Sequence, residues 1–306
     1  MSERDGVDME QATGADPSKR RPLYSVSQFT TPHNSFADDV EQVARTGGDG
    51  LSIWEAKLGA PEEDDAARAL LSDAGLRAGL CVPASWSVFS SRLSPTPETP
   101  EDRSVAIRDS IARLAAFDPV CVLVTPGSAP GYERGEAMEI VKRTMGEVLE
   151  AAAEHGVTIG LEPIRASSFG FIHSFEGALE LRAELGDPNL KVIWDVWHGW
   201  DEPDIHTLLT ENVDALIGVQ VNDWRQPPRV WTDRLLPGDG VADVVGLLRT
   251  IENAGYQGWY DLEVFSDDGS YVERLPDSLW LMPHEEMLQM AHDKFLAVWN
   301  QATSQP

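Results

Sequence analysis

A chain of 306 residues, 42% hydrophobic and 25% charged, has the material for one sizeable globular domain. Its 24 Lys and Arg stand against 51 Asp and Glu, a formal net charge of -27, and such a field repels nucleic-acid phosphates. No apolar run approaches the roughly 18 residues of a membrane span, and the first residues lack the apolar core of a secretory signal. Cys81 and Cys121 both lie in apolar, strand-like runs and read as buried thiols. The expectation is a cytoplasmic protein with neither nucleic acid nor membrane as partner.

Residues 1–21 are polar, show no apolar period, and are expected to form a disordered tail, with the folded domain spanning 22–306. An alternating run from Leu23 predicts the first strand, ending near Thr30, and 35–45 the first helix, with Val40 and Val43 inward. A second strand is expected over 50–55, a helix over 61–74, and a third strand over 76–82 before a long loop around Trp86. Helix 103–117 leads to a fourth strand at 120–124. The amphipathic stretch 134–155 predicts a long helix closed by Gly156. A fifth strand at 157–162 precedes a helix over 174–185, with Ser174 suited to its N-cap. The sixth strand ends at Asp195, helix 205–212 follows, and the seventh strand covers 217–222. After a long loop through Gly240 come helix 243–254, an eighth strand at 259–265, and a closing helix over 285–301. Eight alternating strand–helix units predict a parallel sheet closed into a single (β/α)8 TIM barrel. No Gly-rich dinucleotide fingerprint follows the first strand, which counts against a doubly wound sheet.

The ends of the fifth to eighth strands carry Glu162, Asp195, Gln220 and Glu263, each behind an apolar run. In a barrel, such ends converge at the C-terminal mouth. Three carboxylates there repel one another and resist burial unless a cation neutralises them. With an amide oxygen they make a hard donor set, suited to one Mg2+ or Mn2+, with Co2+ as a further candidate; zinc more often takes His or Cys. Singly, each residue reads equally as a strand-end cap, so the weight lies in the coincidence of four. Such an ion would stabilise an enediolate formed next to a carbonyl.

Leu161-Glu162-Pro163-Ile164, the pair Asp195 and His198, the run from Val219 through Gln220 to Arg225, and Leu262-Glu263-Val264 together resemble the xylose isomerase-like TIM-barrel superfamily. The likeness runs from about Leu23 to Trp299. It implies that Glu162, Asp195, Gln220 and Glu263 hold the metal and that His198 and Arg225 bind substrate oxygens. It further implies that Glu162 and Glu263 face each other across the substrate as paired acid and base. Many members carry His where this chain has Gln220, and Gln occurs in members resembling hydroxypyruvate isomerase and 3-dehydroshikimate dehydratase. The implied activity is isomerisation or epimerisation of a keto-sugar or related hydroxy-ketone through a metal-stabilised enediolate. The alternatives are a dehydroshikimate- or inosose-type lyase, or the metal-bearing subunit of a C-glycoside-cleaving enzyme. A homo-oligomer or a partner subunit is compatible with either.

Six tryptophans (Trp54, Trp86, Trp197, Trp200, Trp224 and Trp231) fall at the expected mouth, where aromatic faces suit the C–H faces of a sugar. Trp54 and Lys57, at the end of the second strand, are candidates for substrate contact, against a reading of Lys57 as a rim salt bridge. His173, just before the fifth helix, could bond substrate or act as a structural helix-start histidine. Arg234 precedes a Pro-Gly-Asp-Gly turn, and relatives carry a similar loop near their active sites, so the resemblance makes it an anchor for an acidic or hydroxylated group. A nuclease barrel resembling endonuclease IV would need a histidine-rich zinc cluster and a basic surface, which this chain lacks. No phosphate loop, Ser/His/Asp triad or cysteine nucleophile is present, so an unphosphorylated substrate is preferred.

Overall fold

Short apolar runs form the ring that the alternation predicts. The computed structural model describes residues 20–168 and 170–304. Its strands are β1 (Leu23–Ser27), β2 (Gly50–Ser52), β3 (Arg77–Ala78), β4 (Leu80–Cys81), β5 (Cys121–Val124), β6 (Ile159–Leu161), β7 (Leu190–Asp195), β8 (Leu216–Val221), β9 (Asp223–Trp224), β10 (Arg234–Leu235) and β11 (Trp259–Leu262). The order β3-β2-β1-β11-β8-β7-β6-β5-β4 is parallel throughout. β3 and β4 are two halves of the expected third strand, one pairing with β2 and the other with β5, so the ring closes across Gly79. A Cβ at Gly79 would sit 2.5 Å from Ser52 Oγ, so only glycine lets the strand pass that close.

The helices are α1 (Phe36–Arg45), α2 (Asp64–Asp73), α3 (Pro100–Leu114), α4 (Arg134–His155), α5 (Phe175–Leu185), α6 (Val196–Gly199), α7 (Ile205–Glu211), α8 (Val244–Asn253) and α9 (His284–Thr303). Their ends follow from local chemistry. Ser35 and Asp38 form a reciprocal capping box on α1, Ser174 Oγ accepts from Gly177 N–H, and Gly156 closes α4 at φ 68°. None of the described helices is long and apolar enough to cross a membrane.

Small residues inside the ring make room for large ones. A Cβ on Gly160 would press on Ile193 and Cys121, and one on Gly218 would press on Leu80. Cys81 and Cys121 are both buried and free, as expected. A carboxyl group enters this interior at Asp261, whose Oδ1 accepts from Ser25 Oγ and Ser52 Oγ at 2.6 Å each. Burial pushes its carboxyl up to about 8.

The expected tail divides. Residues 1–19 lie outside the described residues, but Arg20 and Arg21 are tied to the barrel. Arg20 donates to the Tyr256 carbonyl, and Arg21 Nη1 reaches Asp49 Oδ2 at 2.7 Å. Asp49 also accepts from Tyr24 N–H, so one carboxylate clamps the chain where it enters β1. Two further elements were not anticipated from the sequence. The short helix α6 follows β7 directly, and β9 and β10 form an antiparallel hairpin in the stretch read as a long loop.

Candidate active site

The strand register brings the four oxygen-bearing residues together. Asp195 at the end of β7 stands beside Gln220 of β8, and Glu162 and Glu263 lie one residue past the ends of β6 and β11. All four are buried. Gln220 Nε2 donates to Glu263 Oε1 at 2.9 Å, while Gln220 Oε1 is buried with no hydrogen-bond partner. Asn222, two residues after Gln220 and just past the end of β8, donates to Asp195 Oδ1 at 2.7 Å. Asp195 Oδ1 also accepts from Trp197 N–H at 2.9 Å, so one carboxylate starts α6 and borders the site. Period-two spacing from Gln220 would have identified Asn222 in the sequence.

Arg234 enters this cluster from the β9–β10 hairpin. Its Nη1 lies 2.9 Å from Asp195 Oδ2 and 2.9 Å from Glu263 Oε2. The hairpin is fastened by Asp233, which accepts from Arg225 Nε at 3.1 Å and from Arg229 Nε at 2.8 Å. Arg225 and Arg229 also both reach Asp277, at 2.9 and 2.6 Å. Arg225 thus tethers the hairpin that delivers Arg234 and does not line the cavity.

His198, on α6, points Nε2 at the carboxylates, 3.6 Å from Asp195 Oδ2 and 3.8 Å from Glu162 Oε1. Its Nδ1 accepts from Arg165 N–H at 3.3 Å, which leaves the Nε2–H tautomer for the neutral ring. Burial pulls the imidazolium down to about 3, so the ring is neutral near pH 7. Glu162 accepts no hydrogen bond from a described residue. Burial, with Glu263 and Asp195 beside it, pushes its carboxyl well above the usual carboxylate range. Glu263 is pushed up to about 7, by burial first, against the pull of Arg234.

Fully ionised, three carboxylates beside one guanidinium would carry two excess negative charges in a buried cluster, which is costly, and the raised Glu162 and Glu263 carboxyls reflect that cost. Glu162 and Asp195 each offer a ligand oxygen within 4.8 Å of the other, with the His198 ring at the same spot. The orphaned Gln220 Oε1 and the hydrogen-bond-free Glu162 are lone-pair donors without a proton to meet. The donor set therefore fits a divalent cation held mainly by oxygen.

The other expected contacts fall elsewhere. The Lys57 side chain is largely covered, with Nζ 2.7 Å from Asp39 Oδ2 and 2.6 Å from the Thr31 carbonyl. It closes a network in which Gln28 and Thr31 also serve Asp39, and so it is a structural ion pair rather than part of the cavity lining. Trp54 packs on Phe29 at 4.8 Å between ring centroids, behind the cavity wall. His173 is exposed on an outer rim beside Arg134 and Phe171. Trp197 and Trp200 pack against Trp224, whose face carries the Arg165 guanidinium at 4.3 Å. Of the six tryptophans, only Trp86 and Trp231 line the cavity.

The sequence matches the family model described as xylose isomerase-like TIM barrel over residues 40–288. The chain belongs to this family. Among curated members, 3-dehydro-D-guloside 4-epimerase of Escherichia coli is 23% identical over 236 residues, covering 76% of this chain and 74% of the relative. The 3-dehydroshikimate dehydratase of Pseudomonas aeruginosa is 27% identical over 251 residues, covering 76% of this chain but only 36% of that longer protein. Among solved structures, IOLI protein with a bound zinc atom superposes with a TM-score of 0.75 at 16% identity, over 92% of this chain and all of the other. At that identity the likeness shows the shared fold, and the mouth of the barrel is where this family member's own chemistry must be read.

Proposed function

We propose that this family member is a divalent-metal-dependent isomerase or epimerase acting on a keto-sugar or related hydroxy-ketone. The observation that carries the reading is the meeting of three buried carboxylates, with one guanidinium beside them, around an orphaned amide oxygen at the barrel mouth. Glu162, Asp195, Gln220 and Glu263 would hold the ion, with Mn2+ or Mg2+ favoured by so oxygen-rich a set. When bound, the ion supplies Lewis-acid polarisation of a carbonyl oxygen, worth several kcal/mol of transition-state stabilisation.

The protein's own groups then divide the proton work. Glu162, free of hydrogen-bond donors, is the base placed to remove a proton from the carbon next to the carbonyl. Glu263, held by Gln220 and Arg234, is placed to return it on the opposite side. His198 Nε2–H and the Arg234 guanidinium are the donors available to substrate oxygens. Wall residues such as Phe29, Trp86 and Phe265 keep water from the developing enediolate.

A lyase reading is favoured by the kinship with the Pseudomonas dehydratase, because the same enediolate can expel a β-hydroxyl. Elimination creates a conjugated enone, so product absorbance separates the two. The test is to load the protein with Mn2+ and offer keto-sugars, inososes and dehydroshikimate in D2O. Deuterium is expected to enter the carbon next to the carbonyl. Tight Mn2+ binding with no exchange into any of these substrates would sink the proposal.

A further inference from the structure

We propose that the substrate is an uncharged carbonyl sugar or cyclitol bearing an apolar group the size of an aromatic ring; this rests on the function proposed above and names its substrate class. The cavity has two unlike halves. Its polar groups, Glu162, His198, Arg234 and Glu263, come from the mouth around β6, β7 and β11 and from the hairpin. The rest of the wall is largely hydrocarbon. Phe29 stands 5.6 Å from Trp86 and 5.4 Å from Phe265, and Phe265 stands 5.5 Å from Trp231, so four rings run in an unbroken arc. Leu93 adds to the wall, and Ser91 and Thr125 are the further side-chain hydroxyls on it.

An unsubstituted sugar presents a hydroxyl on nearly every carbon, and each one buried without a partner is costly. The polar half can meet the hydroxyls next to the carbonyl. The arc cannot meet the rest, but it suits a flat apolar group stacked on aromatic faces. Charge narrows the class further. Arg234 is the one cationic side chain among the described lining residues, and its Nη1 is engaged by Asp195 and Glu263, so its charge is already balanced there. Lys57 and Arg225 are held outside the cavity by Asp39 and by Asp233 with Asp277. With a divalent ion bound, its charge and that of Arg234 balance the three carboxylates, so a phosphate or carboxylate on the substrate would enter with no surplus positive charge to pair it.

The experiment is calorimetric titration of the Mn2+-loaded protein with the phenyl and methyl β-D-glucosides oxidised to the ketone at C3, and with the 6-phosphate of the methyl ketoglucoside. The phenyl compound is expected to bind roughly 10- to 100-fold more tightly than the methyl one, as burial of one ring's apolar surface implies. The 6-phosphate is expected not to bind. Leu93→Asn is expected to remove most of the phenyl preference. Equal affinity for the two glucosides, tighter binding of the phosphate, or no binding of either glucoside overturns the proposal. Because binding needs no turnover, the phenyl preference and the deuterium-exchange result can fail independently.

Discussion

Arg234 Nη1 lies 2.9 Å from Glu263 Oε2, and the same nitrogen is 2.9 Å from Asp195 Oδ2. A buried protein cation therefore already sits against two of the carboxylates expected to hold the ion. Any second cation binds in the presence of its positive charge, and the two act in opposition.

Arg234→Met should accordingly tighten Mn2+ binding, by about tenfold or more, since each 1.4 kcal/mol of relieved repulsion is one decade. In the metal-free protein the same change leaves buried carboxylates unpaired and should lower stability by ~3–5 kcal/mol. Calorimetry reads the first effect and urea unfolding the second. Added Mn2+ should restore much of the lost stability. Weaker metal binding in the variant would show that Arg234 supports the ion rather than opposing it.

Glu162→Gln and Glu263→Gln should each reduce solvent deuterium exchange into substrate by roughly 10²–10⁴, the range for losing a positioned acid or base. Mass spectrometry of substrate recovered from D2O is the measurement. Full exchange in both variants removes the pair from the mechanism.

Gln220→Leu deletes the orphaned Oε1 and also the donor to Glu263 Oε1. Mn2+ affinity should fall by about tenfold or more, within the 10–100-fold cost of disturbing groups that orient metal ligands. Electron paramagnetic resonance of free Mn2+ checks it. Unchanged affinity would show that this amide does not bind the ion.

Lys57 and Asp39 form a structural pair away from the cavity. Lys57→Met should therefore destabilise the protein by ~3–5 kcal/mol, by leaving Asp39 without its cation. KM of the folded variant should stay unchanged. A raised KM with unaltered stability would return Lys57 to the substrate site.

Arg103 holds the loop that carries Trp86 and Leu93 to the cavity. Its guanidinium makes five bonds, all to neutral acceptors: Ser87 O, Ser87 Oγ, Ser94 O, Ser94 Oγ and Pro97 O. Burial without a carboxylate pulls it down to about 10, still charged near pH 7. Lysine has three donors and no planar fork, so Arg103→Lys cannot remake this set. Amide exchange across residues 87–97 should speed up about tenfold or more, as expected for local opening made easier by 1.4 kcal/mol. Hydrogen–deuterium exchange mass spectrometry reads it directly.

The residue pattern alone determined the eight alternating units, the cap residues Ser174 and Gly156, and the meeting of Glu162, Asp195, Gln220 and Glu263. Each of those follows from local rules: hydrophobic period, capping chemistry, and the convergence of parallel strand ends in a closed barrel. What only the tertiary structure decided was which charged side chains face one another. Arg225, Arg234 and Lys57 all fall in polar segments near the mouth, and nothing in their neighbours along the chain distinguishes them. The β9–β10 pairing turns Arg234 inward and Arg225 toward Asp277, and the fit of α1 against the loop after β2 gives Lys57 to Asp39. Such partners lie up to 52 positions apart along the chain, and a contact of that range is set by how the elements pack, not by propensity or spacing.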